Sequence, residues 1–264
     1  MRKRKVWFIT GASRGLGRTW AEAALARGDQ VVAAVRDVAK LSDLASEYGD
    51  NLLAVSLDTS VRTQAFRAVE RAVAHFGEID VLINNAGYCL AGALEELDED
   101  EARESLDTNV LGVLWVTQAT LPVMRKQQSG HIVSISSVSG LVGQPTIGIY
   151  NTAKWAIEGM MEALSHEVAG FGIKVSIVEP AVFKTGFASP DSMRFSATID
   201  AYDEVRTRLY EALASEPIND PLTAVQPLLS LVDSSEPPLR LLLGTTALRW
   251  AVISHSNRLS SWVR

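Results

Sequence analysis

The chain has 264 residues, 47% of them hydrophobic, enough to bury one sizeable core without disulfides or a membrane. Its net charge of -6 argues against a general affinity for nucleic acid, which rests on clustered Lys and Arg meeting phosphates. The lone cysteine, Cys89, excludes an intrachain disulfide, and His75, His131, His166 and His255 share no metal-ligand spacing, so no metal is expected.

In chain order, Arg2-Lys3-Arg4-Lys5 reads as a solvated tail rather than a nuclear address. The first apolar run, VWFIT at 6–10, is too short for a secretory signal, and no uncharged run reaches the roughly 20 residues of a spanning helix. A cytoplasmic location is therefore expected. Aliphatic runs at 6–10, 30–35, 52–57, 80–85, 131–136, 174–179 and 239–244 predict seven strands. Segments 15–28, 61–76, 99–127 and 150–170 carry apolar residues at three- and four-residue spacing and predict helices. This alternation implies a doubly wound, Rossmann-like α/β fold: a parallel seven-stranded sheet, helices on both faces, one domain over 1–264. Residues 186–220, with Pro190, Pro217 and Pro221, break the rhythm and suggest a substrate-loop insertion, or else a passive surface excursion. The last strand and C-terminal tail, 239–264, are rich in Leu, Trp and Val and are expected first at a subunit interface, with pocket closure or membrane-surface contact as alternatives.

Ligands of such sheets sit beyond the carboxyl ends of the strands. TGASRGLG at 10–17 follows the first strand, placing Gly11, Ser13, Arg14, Gly15, Leu16 and Gly17 where a turn passes close to a ligand. Glycine lets the backbone approach a pyrophosphate and leaves helix amides free to bind its charge. The second strand ends at Val35 and is followed by Arg36, where an NAD site would carry an acid. Arg36 and Arg14 could clamp a 2′-phosphate, which favours NADP(H). The competing reading gives the ribose hydroxyl of NAD to Asp37.

YNTAK at 150–154 sets Tyr150 and Lys154 on one helix face. A neighbouring ammonium favours a phenolate, so Tyr150 could act as general acid or base. Ser137, just past the HIVSIS strand, can donate to a carbonyl oxygen. In NNAG at 84–87, Asn84 can tie strands together and Gly87 keeps the cofactor side open. Asn109 reads either as a satisfied core amide or as a water anchor for proton relay to Lys154.

TGASRGLG, NNAG, Asn109, Ser137 and YNTAK, in this order, resemble the short-chain dehydrogenase/reductase family from residue 5 to about 245. The resemblance implies a carbonyl–alcohol oxidoreductase that needs no metal. Tyr150 would donate the proton, Lys154 would lower its pKa and hold the nicotinamide ribose, Ser137 would position the carbonyl, and Asn109 would hold a relay water. It also implies cofactor contacts at Asp58, Asn85, Ala86, Gly87, Pro180, Val182 and Thr185, and a homodimer or homotetramer. Where the family has Pro-Gly this chain has Pro180-Ala181, so a backbone needing φ > 0 would be strained at Ala181.

Residues expected to face substrate are mostly apolar: Leu141, Val142, Ile147, Phe183, Phe187, Met193 and Phe195, with Gln144 polar. A lipophilic or aromatic ketone or aldehyde follows, since apolar walls cannot satisfy many hydroxyls. Cys89 is expected to be a filler rather than a nucleophile. Two other functions share the pattern: a non-catalytic dinucleotide sensor, and an epimerase or dehydratase with tightly held cofactor.

Overall fold

Buried runs of alternating large residues form the centre of the molecule. The computed structural model describes residues 3–185 and 192–262. The strands are β1 (Val6–Thr10), β2 (Gln30–Val35), β3 (Leu52–Ser56), β4 (Val81–Asn84), β5 (Cys89–Ala91), β6 (Gly130–Ile135), β7 (Ile173–Pro180), β8 (Met193–Phe195) and β9 (Arg240–Leu243). The helices are α1 (Gly15–Ala26), α2 (Ser42–Tyr48), α3 (Arg62–Phe76), α4 (Glu99–Leu106), α5 (Gly112–Gln127), α6 (Gly148–Val168), α7 (Asp203–Ala214), α8 (Val225–Asp233) and α9 (Ala247–Trp262).

Seven parallel strands pair in the order β3-β2-β1-β4-β6-β7-β9, so strand order reverses between β1 and β4. Each corresponds to one of the seven apolar runs in the sequence. Both faces of a parallel sheet are covered, and successive side chains serve opposite faces. Trp7 and Ile9 of β1 join one buried cluster with Trp20, Leu25 and Leu228 of α1 and α8. Phe8 between them joins the other, with Val69, Val116 and Ile157 of α3, α5 and α6.

Helix ends follow local chemistry. Asp98 accepts from the Glu101 amide at 2.7 Å while Glu101 accepts from the Asp98 amide at 3.3 Å, a reciprocal cap that starts α4. Gly77, at φ +83, stops α3 by donating to the Val73 carbonyl at 2.8 Å. The expected helix over 99–127 is present but interrupted: one wide π turn, Asp107–Leu111, joins α4 to α5 and contains Asn109.

Two short strands lie outside the main sheet. β5 pairs in parallel with β8, Leu90 opposite Arg194, which lays residues 193–195 of the insertion along the segment following β4. Further on the insertion forms α7, and the tail folds into α9. Among the described residues, no helix is long and apolar enough to cross a membrane.

Candidate active site

The glycine loop leaves β1 through Gly11, whose φ of +67 is left-handed and whose amide donates to the Ala34 carbonyl at 2.8 Å. Gly15 turns again at φ +57 to open α1, whose first amides have no side-chain cap. These free amides suit a pyrophosphate. Thr10 Oγ1 accepts from the amides of Asn85 and Ala86 at 2.9 and 3.0 Å, fixing the end of β4 against the loop. Gly17 is buried, and an added Cβ would meet Asn85 Nδ2 at 2.4 Å and the Gly11 carbonyl at 2.6 Å. At Gly87 an added Cβ would meet Asn109 Oδ1 at 2.5 Å and come within 4.0 Å of Lys154 Nζ. Gly17 and Gly87 are thus required by the Asn85 and Asn109 groups packed on them, while the uncapped amides that open α1 fit a dinucleotide phosphate.

This loop forms one end of a cavity of about 940 Å³. Ser13, Arg14, Leu16, Arg36, Asp58, Asn85, Ala86 and Gly87 line it, and so do Pro180, Val182 and Thr185. Asp37 is occupied elsewhere, accepting from the Ala39 amide at 3.1 Å in the turn before α2. Arg14 does not simply stand beside Arg36. Its guanidinium donates to Ser192 Oγ at 2.8 and 3.1 Å, which ties the loop to the strand-β8 segment, while Arg14 still lines the cavity with Arg36. Arg194 reinforces that segment: it pairs with Glu104 at 2.9 Å and lies 4.2 Å from the Tyr88 ring centroid.

Ser137, Tyr150 and Lys154 line the same cavity. Ser137 follows β6, and its Oγ accepts from the Ser139 amide at 3.1 Å. Thr146 sits at φ +58, costly for a β-branched residue, while its carbonyl accepts from the Gly92 amide at 2.7 Å. That contact anchors the start of α6, on which Tyr150 and Lys154 are buried.

The expected depression of the Tyr150 pKa is not what the site displays. Burial pushes the phenol above its ordinary value, Cys89 adds to the rise, and the hydrogen bond with Ser137 opposes it. Lys154 Nζ donates to the Ile135 carbonyl at 2.8 Å and lies 5.6 Å from the Tyr150 ring centroid. Its own pKa is lowered by burial to about 8, against the pull of Cys89 and Glu158. Burial thus shifts each group toward its neutral form, but a lysine near 8 still carries its proton at neutral pH. Cys89 is buried, and its thiol is pushed up to about 12, so it is no nucleophile.

Asn109 is a satisfied core amide: Oδ1 accepts from the Tyr88 amide and Nδ2 donates to the Tyr88 carbonyl, both at 3.0 Å. The core-amide reading of the side chain is thus satisfied, and the Asn109 backbone lies in the π turn. Ala181 is not among the residues with positive φ, and its amide donates to the Leu243 carbonyl at 2.8 Å, so the expected strain is absent.

Of the apolar substrate candidates, Ile147, Phe183 and Met193 line the cavity, as does Gln144, whose Oε1 accepts from Ser139 Oγ at 3.1 Å. Val142 does not line it, and its carbonyl instead accepts from Asn151 Nδ2 at 2.8 Å. Leu141 faces a different cavity, Phe195 is 59% exposed, and Phe187 lies outside the described residues. Leu213, Glu216, Ile218, Thr246 and Trp250 complete the wall and have no motif that could have flagged them. Thr246 and Trp250 thus bring the tail into the wall of the cavity. Among the described residues no cluster of His, Cys, Asp or Glu is arranged to hold a metal.

Comparison with known proteins gives the family and the fold. The model of the short chain dehydrogenase family matches residues 5–194. Oxidoreductase BOA17 of Botryotinia fuckeliana is 40% identical over 254 residues, covering 94% of this chain and 91% of that protein. A short-chain dehydrogenase from Streptomyces avermitilis superposes with a TM-score of 0.91 at 37% identity, covering 99% of this chain and 97% of that one. A short-chain dehydrogenase/reductase from Burkholderia phymatum, solved in complex with NAD, superposes with a TM-score of 0.85 at 27% identity, covering 98% and 95%.

Proposed function

The chain belongs to the short-chain dehydrogenase/reductase family, and from that premise we propose that it is an NADP(H)-dependent oxidoreductase interconverting a lipophilic or aromatic ketone or aldehyde and its alcohol. One observation carries the reading: Ser137, Tyr150 and Lys154 line a single cavity with the glycine loop and Arg36. Arg36 favours a 2′-phosphate, since it is exposed at the end of β2 while Asp37 caps a turn. A nicotinamide dinucleotide would be held by Gly11, Ser13, Gly15 and Leu16 at its phosphates, Asp58, Asn85, Ala86 and Gly87 near the adenosine, and Pro180, Val182 and Thr185 near the nicotinamide.

Bound NADPH supplies the hydride for reduction, and NADP+ accepts it in the reverse direction. Ser137 donates to the carbonyl oxygen as negative charge builds there. Tyr150, protonated because it is buried, gives its O–H proton to that oxygen as the alcohol forms. Lys154, whose Nζ lies 5.6 Å from the Tyr150 ring centroid, stabilises as an ammonium the phenolate left behind. Ile147, Phe183 and Met193 exclude water and favour an apolar substrate. In the same reading residues 186–220 are the substrate loop, and the enzyme works in the cytoplasm as a homodimer or homotetramer.

The test is absorbance at the nicotinamide band with NADPH or NADH and a panel of aromatic, steroidal, acyl and sugar carbonyls, with Tyr150→Phe beside the wild type. Turnover that falls by about 10²- to 10⁴-fold in the variant supports the reading. Cofactor binding without turnover in either direction overturns it in favour of a dinucleotide sensor.

A further inference from the structure

Ser137 opens a turn that its own backbone closes. The Gly140 amide donates to the Ser137 carbonyl at 2.8 Å, and the Leu141 and Val142 amides donate to the Val138 carbonyl at 3.0 and 2.9 Å. Asn151, which follows Tyr150 on α6, ties the turn to that helix: its Nδ2 donates to the carbonyls of Ser139 and Val142 at 2.9 and 2.8 Å. The Leu141 carbonyl is held from elsewhere. Ser254 Oγ donates to it at 3.0 Å and the Arg258 guanidinium at 2.5 Å, both from α9, more than a hundred residues further along the chain.

Arg258 makes a second contact. Its guanidinium lies 4.1 Å from the ring centroid of Trp155, the residue after Lys154 on α6. One side chain therefore touches both segments that carry the reacting groups, the turn of Ser137 and the helix of Tyr150 and Lys154. A planar guanidinium can stack on a ring face while its N–H groups donate in plane, which a lysine ammonium does less well. The buried residues of α9 are Ala247 and Ala251, both in its first half. The second half meets the turn through Ser254 and Arg258.

We propose that Arg258 is a positioning residue: from the C-terminal helix it sets the turn of Ser137 against the helix of Tyr150, with Ser254 as its second donor. This rests on the oxidoreductase reading for what Ser137 does, but the brace itself is measurable without turnover. Donation to a carbonyl oxygen that gains charge only in the transition state is sensitive to displacements of about 1 Å. Loss of the brace should therefore lower kcat and kcat/KM together and leave KM nearly unchanged.

The experiment compares full-length wild type with Arg258→Ala and Arg258→Lys, and with Asn257→Ala, an exposed position of the same helix, as control. Amide hydrogen exchange over the whole chain is followed beside NADPH affinity and kinetics on the carbonyl panel. In Arg258→Ala the amides of residues 139–142 should exchange about 10-fold faster or more, and kcat should fall by about 10- to 100-fold. NADPH affinity should hold, since the glycine loop and Arg36 are untouched. Arg258→Lys should restore part of both losses, and Asn257→Ala should match wild type. Faster exchange confined to α9 overturns the proposal, because Arg258 would then only hold its own helix. An equal rise over the whole chain overturns it too, as does a rise in KM at constant kcat. Faster exchange confined to the turn, in a wild type and variants that reduce no carbonyl, leaves the brace standing and overturns the oxidoreductase reading instead.

Discussion

Asn85 lies directly against Gly17: its Nδ2 donates to the carbonyls of Thr10 and Gly11 at 2.9 and 3.1 Å, in the place a Cβ on residue 17 would fill. The residue that follows β4 and the residue inside the first turn of α1 thus hold the glycine loop together.

Gly17→Ala is expected to push Asn85 off the loop and to cost about 1–3 kcal/mol, since neither the Gly11 carbonyl nor the bonded amide can move freely. Thermal melting should fall and dinucleotide affinity with it. Gly159→Ala is the control. It lies in α6 with nothing within 4 Å of its Cβ direction, and it should gain roughly 0.5–1 kcal/mol from helix propensity.

Arg36→Ala should lower the preference for NADPH over NADH by about 10- to 100-fold, the worth of a charge-assisted contact to a phosphate. Asp37→Ala should leave that ratio unchanged, because the Asp37 carboxylate is spent on the Ala39 amide. Paired titrations with the two nucleotides check both variants, and a ratio moved by Asp37→Ala would return the ribose to that acid.

Two buried groups make stability depend on pH in opposite directions. His131 Nε2 meets Ser176 Oγ at 3.0 Å while that hydroxyl donates to the Pro238 carbonyl, so Nε2 carries the hydrogen and Nδ1 is left without a partner. Burial, with Lys174 and Lys5 adding to it, lowers its pKa from 6.5 to about 3. The folded protein keeps the ring neutral while the unfolded chain takes up a proton below 6.5. Stability from this group is therefore full above 6.5 and is lost toward pH 3 at up to about 1.4 kcal/mol per pH unit. His131→Gln should flatten that acid limb in melting curves.

Glu179 acts at the other end. Its side chain is wholly buried, both oxygens lack hydrogen-bond partners, and Arg240 Nε stands 3.7 Å away. Burial, then Glu158, raises its pKa from 4.5 to about 8, against Arg240. The folded state holds a proton that the unfolded chain releases, so stability falls as pH rises from 4.5 to 8, again by up to about 1.4 kcal/mol per unit. Glu179→Gln should leave melting at pH 5 nearly unchanged and raise it at pH 9. A parallel loss at both values would mean the carboxyl is needed for packing alone.

Ala181→Gly should bring no gain. Residue 181 is not among those with positive φ, so glycine relieves nothing there and adds unfolded-state freedom worth about 0.4–1 kcal/mol. A higher melting temperature in this variant would show that the family's usual glycine answers a strain that Ala181 carries.

The sequence by itself determined the fold and the identity of the chemical groups. Fully covered parallel strands must be continuous apolar runs, so all seven were legible, and the helical spacing put Tyr150 and Lys154 on one face before any coordinates. Strands β5 and β8 escaped because three-residue segments carry no periodicity and pair across about 100 residues of chain. Tertiary structure alone decided the rest, since burial and pairing are properties of neighbours brought together from distant segments. It turned Arg14 toward Ser192, satisfied Asn109 on the Tyr88 backbone, and raised rather than lowered the Tyr150 pKa. It also set Glu216 and Trp250, which no motif marks, in the wall of the cavity where Tyr150 stands.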